Sequence, residues 1–89
     1  MNGSNGCYVY VLGSADGADA RTYVGWTTDV AARLAAHNSG KGAKSTRGRA
    51  WRVLYVERYH TRGEAMSREW HLKRDRRFRR ALLDGAIPG

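Results

Sequence analysis

Hydrophobic and polar positions alternate along three stretches of the chain, and a period of two is typical of a half-buried β-strand. The stretches cover residues 7–12, 21–26 and 51–59 and are rich in β-branched and aromatic side chains. Alternation divides the first stretch between two faces, with Tyr8, Tyr10 and Leu12 on one and Cys7, Val9 and Val11 on the other. It divides the third likewise, with Trp51, Val53 and Tyr55 on one side and Leu54 and Val56 on the other. Residues 13–20 have the composition of a turn, so the first two stretches predict a β-hairpin.

Three further stretches have the period of a helix, and each begins with capping residues. The first covers residues 30–38 and follows Thr27, Thr28 and Asp29. The second begins at Thr61, which stands three residues before Glu64 in the spacing of a capping box. The third covers residues 75–83, with three inward positions and a possible glycine cap: Phe78, Ala81, Leu82 and Gly85. The order β-β-α-β-α-α predicts an α/β fold of the α+β kind, a three-stranded antiparallel sheet flanked by helices.

Length and charge limit the domain count and the partners. The 89 residues allow one small core, which we expect at residues 7–84 between a loose leader at 1–6 and a tail at 85–89. The net charge is +8, and of the 16 Lys and Arg residues only Arg21 precedes Arg33. The basic part is where a polyanion would dock, although charge alone does not separate nucleic acid from acidic lipid.

Several classes of protein are disfavoured by composition. The sequence contains no apolar run of about 18 residues and no signal-peptide pattern, so we expect a cytoplasmic protein without membrane association. A single cysteine, Cys7, allows no internal disulfide and fits a reducing compartment. With three scattered histidines (His37, His60 and His71), no structural zinc site is expected.

Glu69 interrupts the apolar stripe of the second helix. At about 100° per residue it falls between Ala65 and Leu72, on the side that should face the core. An ionised carboxylate carried toward a core costs several kcal/mol unless a cation compensates it. That cation is either a neighbouring base, such as Lys73 one turn on, or a metal ion.

The hairpin and the first helix bring polar aromatic and cationic groups toward one region. Three phenols come from paired strands, those of Tyr8, Tyr10 and Tyr23. Gly25 follows Tyr23 on the same face, where a missing side chain lets a backbone or a ligand come close. Arg33 lies one turn before His37 on the inner stripe of its helix. The plainer interpretation is of ordinary sheet aromatics and a boundary histidine, and it stays open at this point.

Two basic segments remain. Residues 39–49 predict a flexible loop that could present N–H groups and ammonium groups to phosphates, or a solvated linker. The spacing in this loop is not that of a Walker A motif, and it follows a helix rather than a strand. In the last helix we expect four arginines to remain in water: Arg76, Arg77, Arg79 and Arg80.

Together these motifs resemble the GIY-YIG nuclease domain, and specifically its small single-domain bacterial YhbQ-like group. The matching segments are Tyr8-Val9-Tyr10, Tyr23-Val24-Gly25, Thr27 to Val30 with Arg33, His37 to Lys44 with Thr46-Arg47, and Ala65-x3-Glu69-x3-Lys73. Each short motif is weakly specific, but five in order over residues 7–73 are a specific signature. The chain departs from the family in having Tyr8 in place of the first glycine, 12 residues between Tyr10 and Tyr23, and no asparagine after Glu69.

The resemblance implies metal-dependent phosphodiester cleavage, with Glu69 holding one Mg²⁺ or Mn²⁺ ion. It implies that Tyr10 or Tyr23 orients or deprotonates the attacking water, that Arg33 stabilises the phosphoryl charge and that His37 activates Tyr10 or the water. A phenol with a pKa near 10 needs nearby positive charge for this at neutral pH. The nucleic-acid-binding candidates are Gly25, which would let the phosphate approach, and Lys41, Lys44, Arg47, Arg49 and Lys73.

Three functional hypotheses follow. The first is an endonuclease acting on DNA, in repair or recombination, as a monomer or weak homodimer. The second is a basic module that binds nucleic acid without cutting it, which predicts salt-sensitive binding that is indifferent to metal. The third is a structural or protein-interaction role.

Overall fold

The computed structural model describes residues 6–16 and 19–85. Its elements are β1 (Cys7–Asp16), β2 (Asp19–Thr27), α1 (Val30–Asn38), a short 3₁₀ turn (Lys44–Thr46), β3 (Arg52–Tyr59), α2 (Arg62–Arg74) and α3 (Arg76–Leu83). This order confirms the predicted β-β-α-β-α-α arrangement. Most of the predicted leader and tail lies outside the described residues, so their boundaries stay a prediction.

The sheet has the strand order β2-β1-β3, and both pairings are antiparallel. The β1–β2 ladder continues from Tyr8 opposite Thr27 to Asp16 opposite Asp19. The prediction of a turn throughout residues 13–20 is therefore wrong, because both strands extend into it. Gly13 suits the central strand because a Cβ there would lie 2.6 Å from a methyl carbon of Leu54 on β3.

Each face of the sheet carries its own apolar cluster. Val9, Val11 and Val24 pack with α2 and α3, while Tyr10 and Leu12 pack on the opposite face with Trp51 and Leu34 of α1. The predicted division of β1 is confirmed. Because side chains alternate across a strand, the two clusters lie on opposite faces of one sheet.

The prediction for β3 is wrong at Tyr55. A register shift opposite Val11 and Leu12 pairs Val11 with Tyr55 and Leu12 with Val53, which leaves Leu54 as an extra residue. As a result, Leu54 and Tyr55 both pack against the cluster of Val9, Val11 and Val24 that faces α2 and α3. An inserted residue breaks the period of two, and alternation in the sequence does not reveal it.

The predicted helix caps are confirmed. The Asp29 side chain accepts from the Ala32 amide, and Thr61 and Glu64 form the reciprocal capping box of α2. After α3, Gly85 has φ +74° and its amide donates to the Leu82 carbonyl. Among the described residues, no helix has the length and apolar character needed to cross a membrane.

The prediction that Arg79 remains in water is wrong. Its guanidinium donates to the carbonyls of Leu72 at 3.0 Å and Lys73 at 2.8 Å, and to the Thr22 hydroxyl at 2.8 Å. It therefore joins α3 both to the C-terminal turn of α2 and to the edge strand β2.

Glu57 anchors β3 to α2 through a half-buried polar network. Its carboxylate accepts from Arg68 at 2.8 and 3.1 Å, from the Tyr59 hydroxyl at 2.6 Å and from the Tyr55 hydroxyl. Burial by itself would raise the pKa of Glu57, but these hydrogen bonds outweigh it and lower that pKa below its ordinary value. The ionised form is thus the one that stabilises the fold.

We expect Glu57→Gln to lower the free energy of unfolding by about 2 kcal/mol at pH 7, because charge-assisted bonds are lost around a half-buried site. A group with a lowered folded-state pKa stabilises the fold above its unfolded pKa and loses that effect as pH falls through the folded value. The difference between the proteins should therefore shrink below about pH 4.5. Thermal denaturation from pH 7 to pH 3 measures this. Glu64→Gln, which preserves the capping box, is the control and should melt close to wild type.

Candidate active site

A buried hydrogen-bonded chain runs through His37, whose side chain is 0% exposed. The Tyr10 hydroxyl lies 3.0 Å from Nε2 of His37, and the Thr46 hydroxyl oxygen lies 2.9 Å from Nδ1. Thr46 donates its own proton to the Ala43 carbonyl at 2.8 Å. Its oxygen is left to accept from Nδ1–H, so we assign the tautomer in which bare Nε2 accepts from Tyr10. The imidazole is thus oriented with its basic nitrogen toward a phenol.

Two glycines make room for this pair. A Cβ at Gly25 would lie 2.5 Å from the Tyr10 hydroxyl oxygen, and one at Gly42 would collide with the His37 ring. The sequence predicts a close approach at Gly25, and the structure fills that space with the protein's own phenol. Whether a phosphate also approaches Gly25 stays a prediction.

Burial dominates the protonation of both groups. It raises the pKa of Tyr10 above its ordinary value, Tyr23 and the negative charge of Glu69 add to this, and Arg33 opposes it. Burial also lowers the pKa of His37, and the positive charge of Arg33 lowers it further. At neutral pH a neutral phenol is therefore hydrogen-bonded to a neutral imidazole. Whether Arg33, Lys73 and a metal ion together make the phenol more acidic stays a prediction.

Tyr23 covers the pair from the solvent side. Its half-buried ring has its centroid 4.8 Å from that of His37 and 6.4 Å from that of Tyr10. Trp51 meets Tyr23 edge to face at 6.5 Å. Tyr8 was predicted to join Tyr10 and Tyr23, but it is not part of the apolar cluster formed around Tyr10, Leu12 and Trp51.

The segment after α1 is held in place at both ends. Asn38 and Trp51 exchange hydrogen bonds of 3.1 and 2.6 Å, and the Trp51 indole donates to the Thr46 carbonyl at 2.8 Å. The prediction of a flexible loop is therefore wrong for its centre, where Thr46 is 0% exposed. No role was predicted for Asn38, Thr46 or Trp51, although His37 and Thr46 stand nine residues apart within one matched motif, and that spacing is the signal in the sequence.

Glu69 lies on the sheet-facing stripe of α2 between Ala65 and Leu72, which are both fully buried. Its side chain is 21% exposed, and Lys73 Nζ lies 3.4 Å from Oε2. The ion pair foreseen as one alternative is thus present, although Lys73 is 52% exposed and such pairs are weak. The negative charge of Glu69 is the smallest of the influences on the pKa of Tyr10, and α2 packs against the face of the sheet opposite the cluster that contains Tyr10.

The donor set fits a hydrated divalent ion rather than a protein-enclosed one. No group of three or more His, Cys, Asp or Glu side chains within residues 6–16 and 19–85 could hold a metal. Glu69 offers a single, partly accessible carboxylate. Mg²⁺ keeps most of its water and takes one or two carboxylates together with phosphate oxygens, so a single carboxylate is compatible with such an ion.

The four predicted nucleic-acid contacts in the segment between α1 and β3 divide into two groups. Lys41, Lys44 and Arg47 are exposed and have no ion pair among the described residues, so they are available to phosphates. Arg49 lies elsewhere, with its guanidinium 3.1 Å from Ser14 Oγ and 3.1 Å from Asp19 Oδ2. A role for Arg49 in binding nucleic acid stays a prediction, and its contacts are those of a structural residue.

A comparison with known protein families matches residues 6–81 to the GIY-YIG catalytic domain. The chain belongs to the GIY-YIG family. Among its relatives, a UPF0213 protein of Lacticaseibacillus paracasei is 47% identical over 77 residues, covering 85% of this chain and 83% of that protein. A UPF0213 protein of Streptococcus pneumoniae is 49% identical over 71 residues, covering 79% and 69% respectively.

A solved structure agrees with this assignment. The solution NMR structure of the UPF0213 protein BH0048 from Bacillus halodurans is 39% identical and has a TM-score of 0.51, covering 94% of this GIY-YIG chain and 87% of that one. The resemblance to the small single-domain group is thereby confirmed. A nuclease-type function follows from the family, whereas the names of these relatives state no activity.

Proposed function

We propose that this GIY-YIG domain is a divalent-metal-dependent endonuclease that hydrolyses phosphodiester bonds in DNA. The observation that carries the proposal is the buried Tyr10–His37 hydrogen bond, in which a neutral imidazole of fixed tautomer faces a phenol. A hydrolase needs a group that removes the proton from water.

Proton transfer in this proposal uses Tyr10 and His37 together. As water attacks phosphorus, its proton passes to the Tyr10 oxygen while the Tyr10 proton passes to His37 Nε2. No free phenolate forms, so the raised pKa of Tyr10 is no obstacle. We assign this role to Tyr10 because, of the two signature tyrosines, Tyr10 has the hydrogen bond to a base. Tyr10 is only 1% exposed and Tyr23 covers it, so the Tyr23 ring must move aside for water to reach the Tyr10 oxygen.

Other groups would stabilise the negative charge that develops on the phosphoryl oxygens. Arg33 is half-buried beside Tyr10 and would bind these oxygens as their charge develops. Glu69 would hold one Mg²⁺ or Mn²⁺ ion, which when bound neutralises charge on the scissile phosphate. Lys73 would then leave Glu69 and face the substrate. Lys41, Lys44 and Arg47 would contact flanking phosphates.

The test is incubation of the protein with plasmid and branched DNA in Mg²⁺ or Mn²⁺, with a chelator control. Cleavage that requires metal supports the proposal. The existing Glu69–Lys73 pair favours a second candidate, a module that binds DNA without cutting it. Salt-sensitive binding that is indifferent to metal, with no cleavage of any DNA form, would establish that candidate instead.

Thr46 should act as a positioning residue for His37. We expect Thr46→Val to lower the single-turnover rate about 10- to 100-fold, because valine has the same shape but cannot accept from Nδ1–H. Thr46→Ser retains the hydroxyl and should recover most of the rate. KM should change little in both variants. Equal losses in the two variants would mean that packing at residue 46, rather than the tautomer of His37, limits the reaction.

A further inference from the structure

A groove of about 730 Å³ lies between the first part of β2 and the outer side of α3. Six of the residues that line it are charged, five arginines and one aspartate: Arg21, Arg76, Arg77, Arg79, Arg80 and Asp84. The lining therefore carries an excess of four positive charges. None of these residues belongs to the candidate active site.

Arg79 forms the fixed part of the groove. Its three hydrogen-bond acceptors are two carbonyls and a hydroxyl, all of them neutral. These bonds fix the guanidinium without cancelling its charge. The carbonyls are those of Leu72 and Lys73, about one turn of α2 beyond Glu69, so the groove adjoins the helix that carries the proposed metal ligand.

The other charges are poorly compensated. Arg76 and Arg77 are exposed and have no ion pair among the residues that the structure describes. Arg80 lies 3.7 Å from Asp84 and Arg21 lies 3.3 Å from Asp19, but both are exposed pairs that contribute little. The groove is therefore strongly positive in the free protein.

This arrangement is unfavourable for α3 by itself. Arg76 and Arg80 are four residues apart, and Arg77 and Arg80 three apart, so like charges face one another on the helix surface. Arg76 and Arg77 also occupy the first turn, where the helix dipole disfavours cations. A bound anion would relieve both effects.

We propose that this groove binds the phosphodiester backbone of DNA away from the bond that is cut. The proposal deepens the proposed nuclease function and rests on it for the identity of the ligand. The eight residues of α3 extend about 12 Å, a length that spans about three phosphates of one strand. A strand of phosphates fits a concave surface with spaced cations, whereas a flat membrane surface does not enter it.

The test compares two double variants that each lose two positive charges. Arg76→Gln with Arg77→Gln alters the groove, and Arg52→Gln with Arg58→Gln alters exposed residues of β3 at the opposite edge of the sheet. Affinity for a 20-base-pair duplex is measured by fluorescence anisotropy without metal, between about 50 and 200 mM salt. Arginine and glutamine have similar helix propensities, and the loss of repulsion should leave the groove variant melting no lower than wild type.

We expect the groove variant to bind DNA about tenfold more weakly at 50 mM salt. The negative slope of the log association constant against log salt concentration should become shallower by about two. The β3 variant should change both quantities much less. Equal weakening by the two variants, or no weakening by the groove variant, would overturn the proposal. So would loss of binding to vesicles containing phosphatidylserine while DNA affinity is unchanged, since the groove would then be a lipid site.

The measurement without metal separates this proposal from the nuclease proposal. A wild-type protein that binds DNA through the groove but cuts no DNA would overturn hydrolysis and leave the groove intact. A protein that cuts DNA with an affinity independent of Arg76 and Arg77 would overturn the groove alone.

Discussion

Glu69→Gln should abolish metal-dependent cleavage while leaving the fold and the affinity for DNA without metal nearly unchanged. Glutamine has the shape of glutamate but is a poor ligand for a hard cation, so the ion and its stabilisation of the scissile phosphate are lost together. Several kcal/mol of transition-state stabilisation corresponds to a rate loss of about 10³-fold or more. Single-turnover cleavage of labelled DNA in Mg²⁺ and Mn²⁺ measures this.

The same helix supplies a matched control for Glu69. Glu64→Gln makes the identical chemical change in the first turn of the same helix. Glu64 is a capping-box residue, and this position tolerates glutamine. It should cleave at the wild-type rate. Loss of the Glu69–Lys73 pair should cost less than about 1 kcal/mol of stability, because Lys73 is 52% exposed and solvent screens the pair. Unchanged cleavage by Glu69→Gln would remove this carboxylate from the reaction and with it the proposed metal ligand.

Signals confined to a few neighbouring residues predicted the fold well. The capping box at Thr61, the cap at Asp29 and the alternation in β1 each depend on contacts within one element. Such contacts follow directly from spacing along the chain. This is why the element order and the faces of β1 could be predicted without any knowledge of packing.

The errors arose where residues distant in the sequence meet. The extra Leu54 in β3 depends on the pairing with β1, and its side chain occupies the room that Gly13 leaves. Arg79 resembles its neighbours in a run of arginines and differs only because Thr22, 57 residues away, lies beside it. Periodicity within α3 carries no information about that contact.

The candidate site shows the same division. The sequence placed Arg33 and His37 on one stripe of α1 and the two signature tyrosines on one face of the hairpin. It could not predict that the Tyr10–His37 bond is buried, that Thr46 selects the tautomer, or that the net shift in the pKa of Tyr10 is upward. Those facts depend on how the segment after α1 folds over the imidazole, and the sequence predicts that this segment is flexible.

Tyr10→Phe and His37→Gln should each lower the cleavage rate about 100-fold or more, and the double variant should be no slower than the slower single variant. Residues that pass one proton act as a unit, so removal of either breaks the whole path and their effects are not additive. Tyr23→Phe combined with His37→Gln should instead show the product of two separate losses. The readout is the single-turnover rate at saturating metal.

Protonation of His37 gives an independent check on the same pair. Burial and Arg33 lower the pKa of His37, so the imidazole is neutral and able to accept a proton at neutral pH. The acidic limb of kcat/KM should therefore lie below the ordinary histidine value of about 6.5 and should be absent in the residual activity of His37→Gln. Multiplicative losses for Tyr10 and His37, with non-additive losses for Tyr23 and His37, would transfer the role in proton transfer to Tyr23. The buried Tyr10–His37 bond would then be a structural support beneath the phenol that meets the water.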